Sequence, residues 1–115
     1  MTIKFYGLKA CDTCRKARKA LDAKKVAYSY HDVREDGVSK TLAAKWAKQV
    51  GWENLLNKSS TTWRNLSEKE KVGLSQTRAV SLMSAHPTLI KRPVIDKGGN
   101  VYVGWKPDTQ KAVLK

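Results

Sequence analysis

The chain is short of acid, of cysteine and of phenylalanine. Its 115 residues hold 10 Asp and Glu against 23 Lys and Arg, a formal net charge of +13, with two Cys, two His, three Pro and one Phe. No apolar run approaches the roughly 20 residues that a membrane-spanning helix needs, and the N-terminus lacks the apolar segment of a signal peptide, so the expectation is a soluble, cytoplasmic protein. Two cysteines three positions apart cannot staple a fold. That excludes the disulfide framework of a small secreted domain and makes the dithiol the default state in a reducing compartment. There is no low-complexity tract and no internal repeat. With 41% hydrophobic residues, residues 1–115 are expected to form one globular domain with a core of ordinary size, acting as a monomer.

The excess of positive charge raises nucleic acid as a partner. The basic residues are scattered through every segment, however, without a run of five or an aromatic-interleaved stripe, and nucleic acid is not the expected partner. A diffuse positive field attracts any small anion, glutathione or an oxyanion included.

What chemistry there is centres on Cys11-Asp12-Thr13-Cys14. Ile3 and Phe5 alternate with Lys4 and Tyr6 in the period-two pattern of a strand, which Gly7 is expected to break. Cys14, Ala17 and Leu21 then recur at helical spacing, widened by Ala20, with Arg15, Lys16, Arg18 and Lys19 on the other faces. Cys14 therefore points inward. Cys11 falls at the helix entrance, where free backbone N–H groups and the positive end of the helix dipole stabilise an anion. A thiol held there loses its proton more easily, and the thiolate is the nucleophile. Cys11 reads as the attacking sulfur and Cys14 as a partner able to close a disulfide with it. Half of a zinc site is one alternative, with His31 and His86 completing four ligands, and inert buried cysteines are another. The histidines stand 55 positions apart, whereas structural zinc takes its second pair from a short unit, so no metal is expected.

Val26, Tyr28 and Tyr30 alternate with Ala27, Ser29 and His31 as a second strand, parallel to the first across the helix, with His31 on the surface. Asp36-Gly37 marks a turn. Leu42, Ala43, Trp46, Ala47 and Val50 trace a helix face that Gly51 can terminate, followed by Trp52, Leu55 and Leu56 as core. The polar run 57–62 reads as loop. Ser67 and Glu70 form a capping box that starts a short helix through Val72. A further helix, with Ala79, Leu82 and Met83 inward, stops at His86-Pro87. Pro93–Asp96 and Val101–Gly104 are short strands around the turn 97–100, and a last helix starts at Pro107. The predicted fold is an α/β, four-stranded mixed sheet, βαβ then ββα, with a helical insertion at about 38–86. Arg64 follows the polar loop and Arg92 precedes a strand-initiating proline, positions from which side chains can converge on the sheet edge where open α/β folds bind ligands.

This order, with C-x-x-C at the first strand-to-helix junction, resembles the thioredoxin fold. The helical middle block resembles the arsenate reductase ArsC family, and its YffB-like branch in particular. The blocks that carry the likeness are Tyr6-Gly7-Leu8-Lys9-Ala10-Cys11-Asp12-Thr13, Gly51-Trp52-Glu53-Asn54-Leu55-Leu56-Asn57, Thr61-Thr62-Trp63-Arg64, Ile90-Lys91-Arg92-Pro93 and Gly104-Trp105-Lys106. The resemblance implies that Cys11 is the nucleophile, that Arg64 and Arg92 bind the anionic substrate or glutathione, and that Arg92-Pro93 is a cis-proline site opposite the cysteine. It matches Lys106 to a third basic position, usually arginine in true arsenate reductases. Lysine keeps the charge there but not the planar fork. Arsenate reductases are also similar in a His-Asn-Pro segment before the nucleophile, where this chain has Gly7-Leu8-Lys9, and relatives in this branch often lack a cysteine matching Cys14.

The expected function is a glutathione-dependent thiol-disulfide oxidoreductase, with glutathione as co-substrate, glutaredoxin as a possible redox partner, a small anionic or disulfide substrate, and no metal or membrane. Two alternatives stay open. One is arsenate reduction proper, and the other is a redox-sensing regulator that binds RNA polymerase, like the family's Spx.

Overall fold

The computed structural model describes residues 3–114. In chain order the elements are β1 (Ile3–Gly7), α1 (Asp12–Ala23), β2 (Ser29–Asp32), α2 (Lys40–Val50), α3 (Trp52–Leu55), α4 (Thr61–Arg64), α5 (Glu68–Lys71), α6 (Gln76–Ala85), β3 (Val94–Lys97), β4 (Asn100–Val103) and α7 (Pro107–Val113), with a 3-10 turn at Pro87–Leu89. They divide into two compact units, Met1–Asp36 with Arg92–Lys115, and Gly37–Lys91. Among the described residues no helix is long and apolar enough to cross a membrane.

The first unit is a four-stranded sheet in the order β2-β1-β3-β4. The crossover through α1 makes β2 parallel to β1, pairing Phe5 with Tyr30. β3 runs antiparallel to β1, pairing Phe5 with Ile95, and β4 antiparallel to β3. This is the mixed thioredoxin-like sheet expected from the sequence. One face carries the core, in which Ile3, Phe5 and Ile95 pack with Cys14, Ala17 and Leu21 of α1 and with Val113 of α7. Removing a side chain such as Phe5 or Leu21 from water is worth about 1.5–3 kcal/mol each. At the β3–β4 turn Gly98 and Gly99 adopt positive φ, and the carboxylate of buried Asp96 accepts from the Gly99 N–H at 2.9 Å.

Several boundaries depart from the sequence pattern. Gly7 does not break β1 but belongs to it, and Tyr6, in the strand's polar phase, is buried. β1 lies between two strands, and Tyr6 stacks on His31 of β2 with ring centroids 4.9 Å apart. His31 is accordingly half-buried rather than on the surface. β2 starts only at Ser29, yet Val26 and Tyr28 still pack against the core. Pro93 precedes β3, and β4 begins and ends one residue earlier than the alternation suggests.

The second unit is helical. Ser39 caps α2 by accepting from the Leu42 N–H, and Gly51, at φ 86°, ends it as the pattern predicts. Ala43, Trp46 and Ala47 of α2 are buried, as are Ala79, Val80 and Met83 of α6, which packs on α2. The Ser67–Glu70 capping box is present, and α5 stops at Lys71, one residue short of the predicted Val72. Arg78 closes that end, donating to the carbonyls of Val72 at 2.6 Å and Lys69 at 3.1 Å. Two short helices were not expected. Trp52–Leu55 follows directly on Gly51, and Thr61–Arg64 begins inside the polar run because the Ser60 hydroxyl accepts from the Trp63 N–H. A Leu56–Ile90 bridge, with Lys91 N–H donating to the Leu55 carbonyl at 2.8 Å and Asn57 N–H to that of Leu89 at 2.7 Å, ties the segment after α3 to the end of the unit.

Gly7 is required by space and not by its backbone angle. A Cβ on it would stand 2.8 Å from the Cys14 sulfur and 3.0 Å from a Phe5 ring carbon. Gly7→Ala is therefore expected to cost about 1–3 kcal/mol of stability by overpacking. In Gly7→Ala combined with Cys14→Ala the substitutions should be less costly together than their sum, as measured by denaturant unfolding.

Candidate active site

The site forms where β1 hands over to α1. Gly7 ends the strand, Leu8–Ala10 turns, and the Cys11 N–H donates to the Leu8 carbonyl at 3.2 Å. Cys11 is the N-cap of α1, with extended backbone angles, and its carbonyl accepts from the Arg15 N–H at 3.0 Å. Its side chain is half-buried, whereas Cys14 is fully buried, and both thiols are free. The sequence reading of one sulfur at the helix entrance and one facing inward is what the structure contains.

The turn is held from below by Asp32 at the end of β2. Its Oδ1 accepts from the N–H groups of Arg34 at 2.8 Å and Glu35 at 3.0 Å, and the Lys9 backbone N–H also acts on the carboxylate. The Glu35 and Arg34 N–H groups, joined by that of Lys9 and its ammonium, hold this carboxyl below the usual range against the opposing effect of burial. The Val33 N–H donates to the Gly7 carbonyl at 3.0 Å, and a Lys9–Glu35 ion pair lies outside. Sequence reasoning missed Asp32. Its only sign was a lone aspartate closing a strand, too common a signal to single out.

The second wall comes from β3. Antiparallel pairing sets Val94 opposite Tyr6, so the residues just before β3 arrive beside the end of β1. Those residues are Arg92 and Pro93, joined by a cis peptide bond as the resemblance implied. The Pro93 carbonyl accepts from the Gly104 N–H at 2.8 Å. Arg92, half-buried, hydrogen-bonds to the Cys11 sulfur and acts on it by charge.

The two sulfurs are driven apart in acidity. Burial pushes the Cys11 thiol up, but the backbone N–H and the thiol of Cys14, with the Arg92 guanidinium, outweigh it, and the net result is a thiol more acidic than ordinary cysteine. For Cys14, burial dominates, and the facing Cys11 adds to it. The Leu8 backbone and Arg92 offset only part, leaving Cys14 pushed up to about 12. The pair is thus one thiol made more acidic than usual at the helix entrance and one buried thiol that keeps its proton, a nucleophile with its hydrogen-bond donor alongside.

Cys11, Cys14, Arg92 and Pro93 come together in the first unit. Lys106 is the exposed N-cap of α7 and is not among the principal groups acting on either sulfur. Arg64 belongs to the second unit, where it ends α4 and its Nη2 donates to the Ser59 carbonyl at 3.5 Å. Among the described residues no group of three or more His, Cys, Asp or Glu is placed to hold a metal ion.

With this geometry in view, the profile of the ArsC family matches residues 6–113, almost the full length. The chain belongs to the ArsC family. A solved YffB protein shares 44% of its residues over 98% of this chain and 99% of its own, with a TM-score of 0.93. An uncharacterized protein of Haemophilus influenzae is 42% identical over 97% of this chain and 98% of its own length. The global transcriptional regulator Spx of Streptococcus mutans is 26% identical over 91% of this chain and 77% of its own. This ArsC chain is therefore similar to the YffB-like branch along its whole length and, more distantly, to a regulator.

Two outcomes follow from the electrostatics. Titrated by ultraviolet thiolate absorbance, one sulfur should ionise below the ordinary cysteine range and the other only near 12; Arg92→Gln should move the first step upward and leave two separate steps. For Asp32, a lowered folded pKa means that its stabilisation is present above the ordinary carboxylate pKa and is lost as pH falls through the lowered value. Asp32→Ala should accordingly be less stable than the parent at neutral pH, with a shallower loss on acidification, read as Tm against pH.

Proposed function

We propose that this protein is a glutathione-dependent thiol-disulfide oxidoreductase in which the Cys11 thiolate is the nucleophile. The observation that carries the reading is the disposition of one half-buried sulfur at a helix N-cap, with the Arg92 guanidinium and the Cys14 N–H and thiol all favouring its anion. Membership of the ArsC family supports reductase chemistry on an arsenate-reductase-like fold.

In the proposed reaction the Cys11 sulfur bonds to one sulfur of a disulfide as that S–S bond breaks, and the departing sulfur leaves as a thiolate that takes a proton from water. Arg92 beside the sulfur suits a carboxylate or oxyanion oxygen and keeps a negatively charged substrate near the nucleophile. Pro93 shapes the wall of the same site, while Arg64 and Lys106 are proposed as further anion-binding groups on the strength of the family pattern alone. A glutathione thiolate then attacks the Cys11 sulfur of the mixed disulfide and the second reduced thiol departs, and a further glutathione thiolate attacks the glutathione sulfur bound to Cys11, freeing the Cys11 thiolate as two glutathiones leave as their disulfide. Cys14 could instead release the second thiol by closing a disulfide with Cys11. Its high pKa makes it slow to attack unless its proton is removed, so we assign release to glutathione first.

A second reading, a redox-sensing regulator, is supported by the Spx relative of Streptococcus mutans. In that reading Cys11 and Cys14 oxidise to a disulfide that alters a docking surface, and RNA polymerase is the proposed partner.

Cys11→Ser should abolish glutathione-dependent reduction of a small disulfide, and unchanged turnover would remove Cys11 as nucleophile. Cys14→Ser should retain most of that activity, whereas its loss would assign release to the internal disulfide. Retention of polymerase subunits from lysate by the oxidised protein but not the reduced one, together with absent turnover, would favour the regulator.

A further inference from the structure

The outward face of α1 is left unused by the site just described. Asp12, Arg15, Lys16, Arg18, Lys19 and Asp22 line a shallow groove of about 510 Å³ there. Because Cys11 is the N-cap of the same helix, the groove starts beside the nucleophile and runs along its axis. At 1.5 Å per residue the 12-residue helix is about 18 Å long.

Its cations are not equivalent. Arg15 is spoken for by an ion pair with Asp12. Arg18 is anchored: its Nε donates to the Tyr28 hydroxyl at 3.3 Å, and its guanidinium lies 4.1 Å from the centre of the Tyr30 ring. An anchored guanidinium has already lost much of the rotamer freedom that binding would otherwise cost. Lys16 and Lys19 are exposed and form no ion pair among the described residues. The groove therefore offers one fixed guanidinium and two exposed ammonium groups within about two helical turns of a nucleophilic sulfur, three cations against the one carboxylate there, Asp22, that is in no ion pair among the described residues.

We propose that this face of α1 is a docking surface for an acidic segment of a protein disulfide partner, whose cysteine is presented to Cys11 while neighbouring Asp or Glu side chains lie along Lys16, Arg18 and Lys19. The inference rests on the thiol-disulfide reading and names the substrate class of that site. Charge complementarity selects the occupant. A protein rather than a nucleic acid is favoured because the groove presents no aromatic side chain on which a base could stack, and because the reacting partner must carry sulfur. In the exchange the Cys11 sulfur bonds to one sulfur of the partner's disulfide, that S–S bond breaks, and the departing thiolate is protonated by water.

The test uses single-turnover reduction of three peptides of equal length, each joined through one cysteine to 2-mercaptoethanol as a mixed disulfide, with flanking residues Glu, Gln or Lys. The full chain should react with the Glu peptide about tenfold faster than with the Gln peptide at low salt, and slowest with the Lys peptide, the preference shrinking as salt rises. Lys16→Glu with Lys19→Glu should reverse the ratio of the Glu and Gln rates. An identical charge change at Lys24 and Lys111, which lie together at the far end of α1, should leave that ratio nearly intact. Equal rates for the Glu and Gln peptides overturn the proposal, as does an equal effect of the two charge-reversed pairs, which would mean that only the overall charge matters. So would binding of a single-stranded oligonucleotide that depends on Lys16 and Lys19 without any peptide preference. Failure of the Gln peptide to react at all, or its undiminished reaction in Cys11→Ser, would instead defeat the thiol-disulfide reading itself.

Discussion

The constraint on which the rest depends is the lack of a side chain at Gly7, where a Cβ would stand 2.8 Å from the Cys14 sulfur. A helix can approach a strand this closely only where the strand has no side chain, and the approach seats the first turn of α1 on the end of β1. With Cys14 locked there, helical geometry leaves Cys11 no choice of place. It stands one turn earlier at the cap, half out of the core, with the N–H groups of the first turn beside it. One buried thiol thus positions the other and raises its own pKa in doing so, which keeps it protonated and able to donate to the thiolate.

Around this junction the sheet supplies the charge. Parallel β2 contributes Asp32, which gathers the N–H groups of Arg34 and Glu35 after the strand and that of Lys9 in the turn, and so stiffens the approach to Cys11. Antiparallel β3 contributes Arg92. The two strands flank β1 on opposite edges, so the turn is held on one side by an anion accepting backbone bonds and faces a guanidinium on the other. The separation matters, because a carboxylate placed directly at the sulfur would oppose ionisation. In Asp32 the negative charge is spent on main-chain donors.

Much of this was readable in the residues. The 3.6-residue recurrence of Cys14, Ala17 and Leu21 identified the buried stripe, and the alternation in β1 and the 97–100 turn identified the sheet, since amphipathic periodicity is a direct consequence of one-sided burial. Patterning was weakest where burial is two-sided or where a hydroxyl decides the backbone. Tyr6 and His31 looked polar-facing but stack on each other within the sheet, and α4 arises from the Ser60 cap inside a run with no apolar signal. Arg64 shows the same limit for function. Its neighbours carry the family pattern, but a charged residue on a four-residue helix has no periodicity from which to read its purpose.

By itself the sequence determined the strand and helix order, the inward and capping places of the two cysteines, and membership of a family, because each is written in local spacing and residue type. Only the tertiary structure decided that Arg92, some 80 positions from Cys11 in the chain, sits against that sulfur, that Asp32 braces the turn below it, and that the two thiols differ in acidity. Those are consequences of strand pairing and burial, which bring together groups that no local pattern connects.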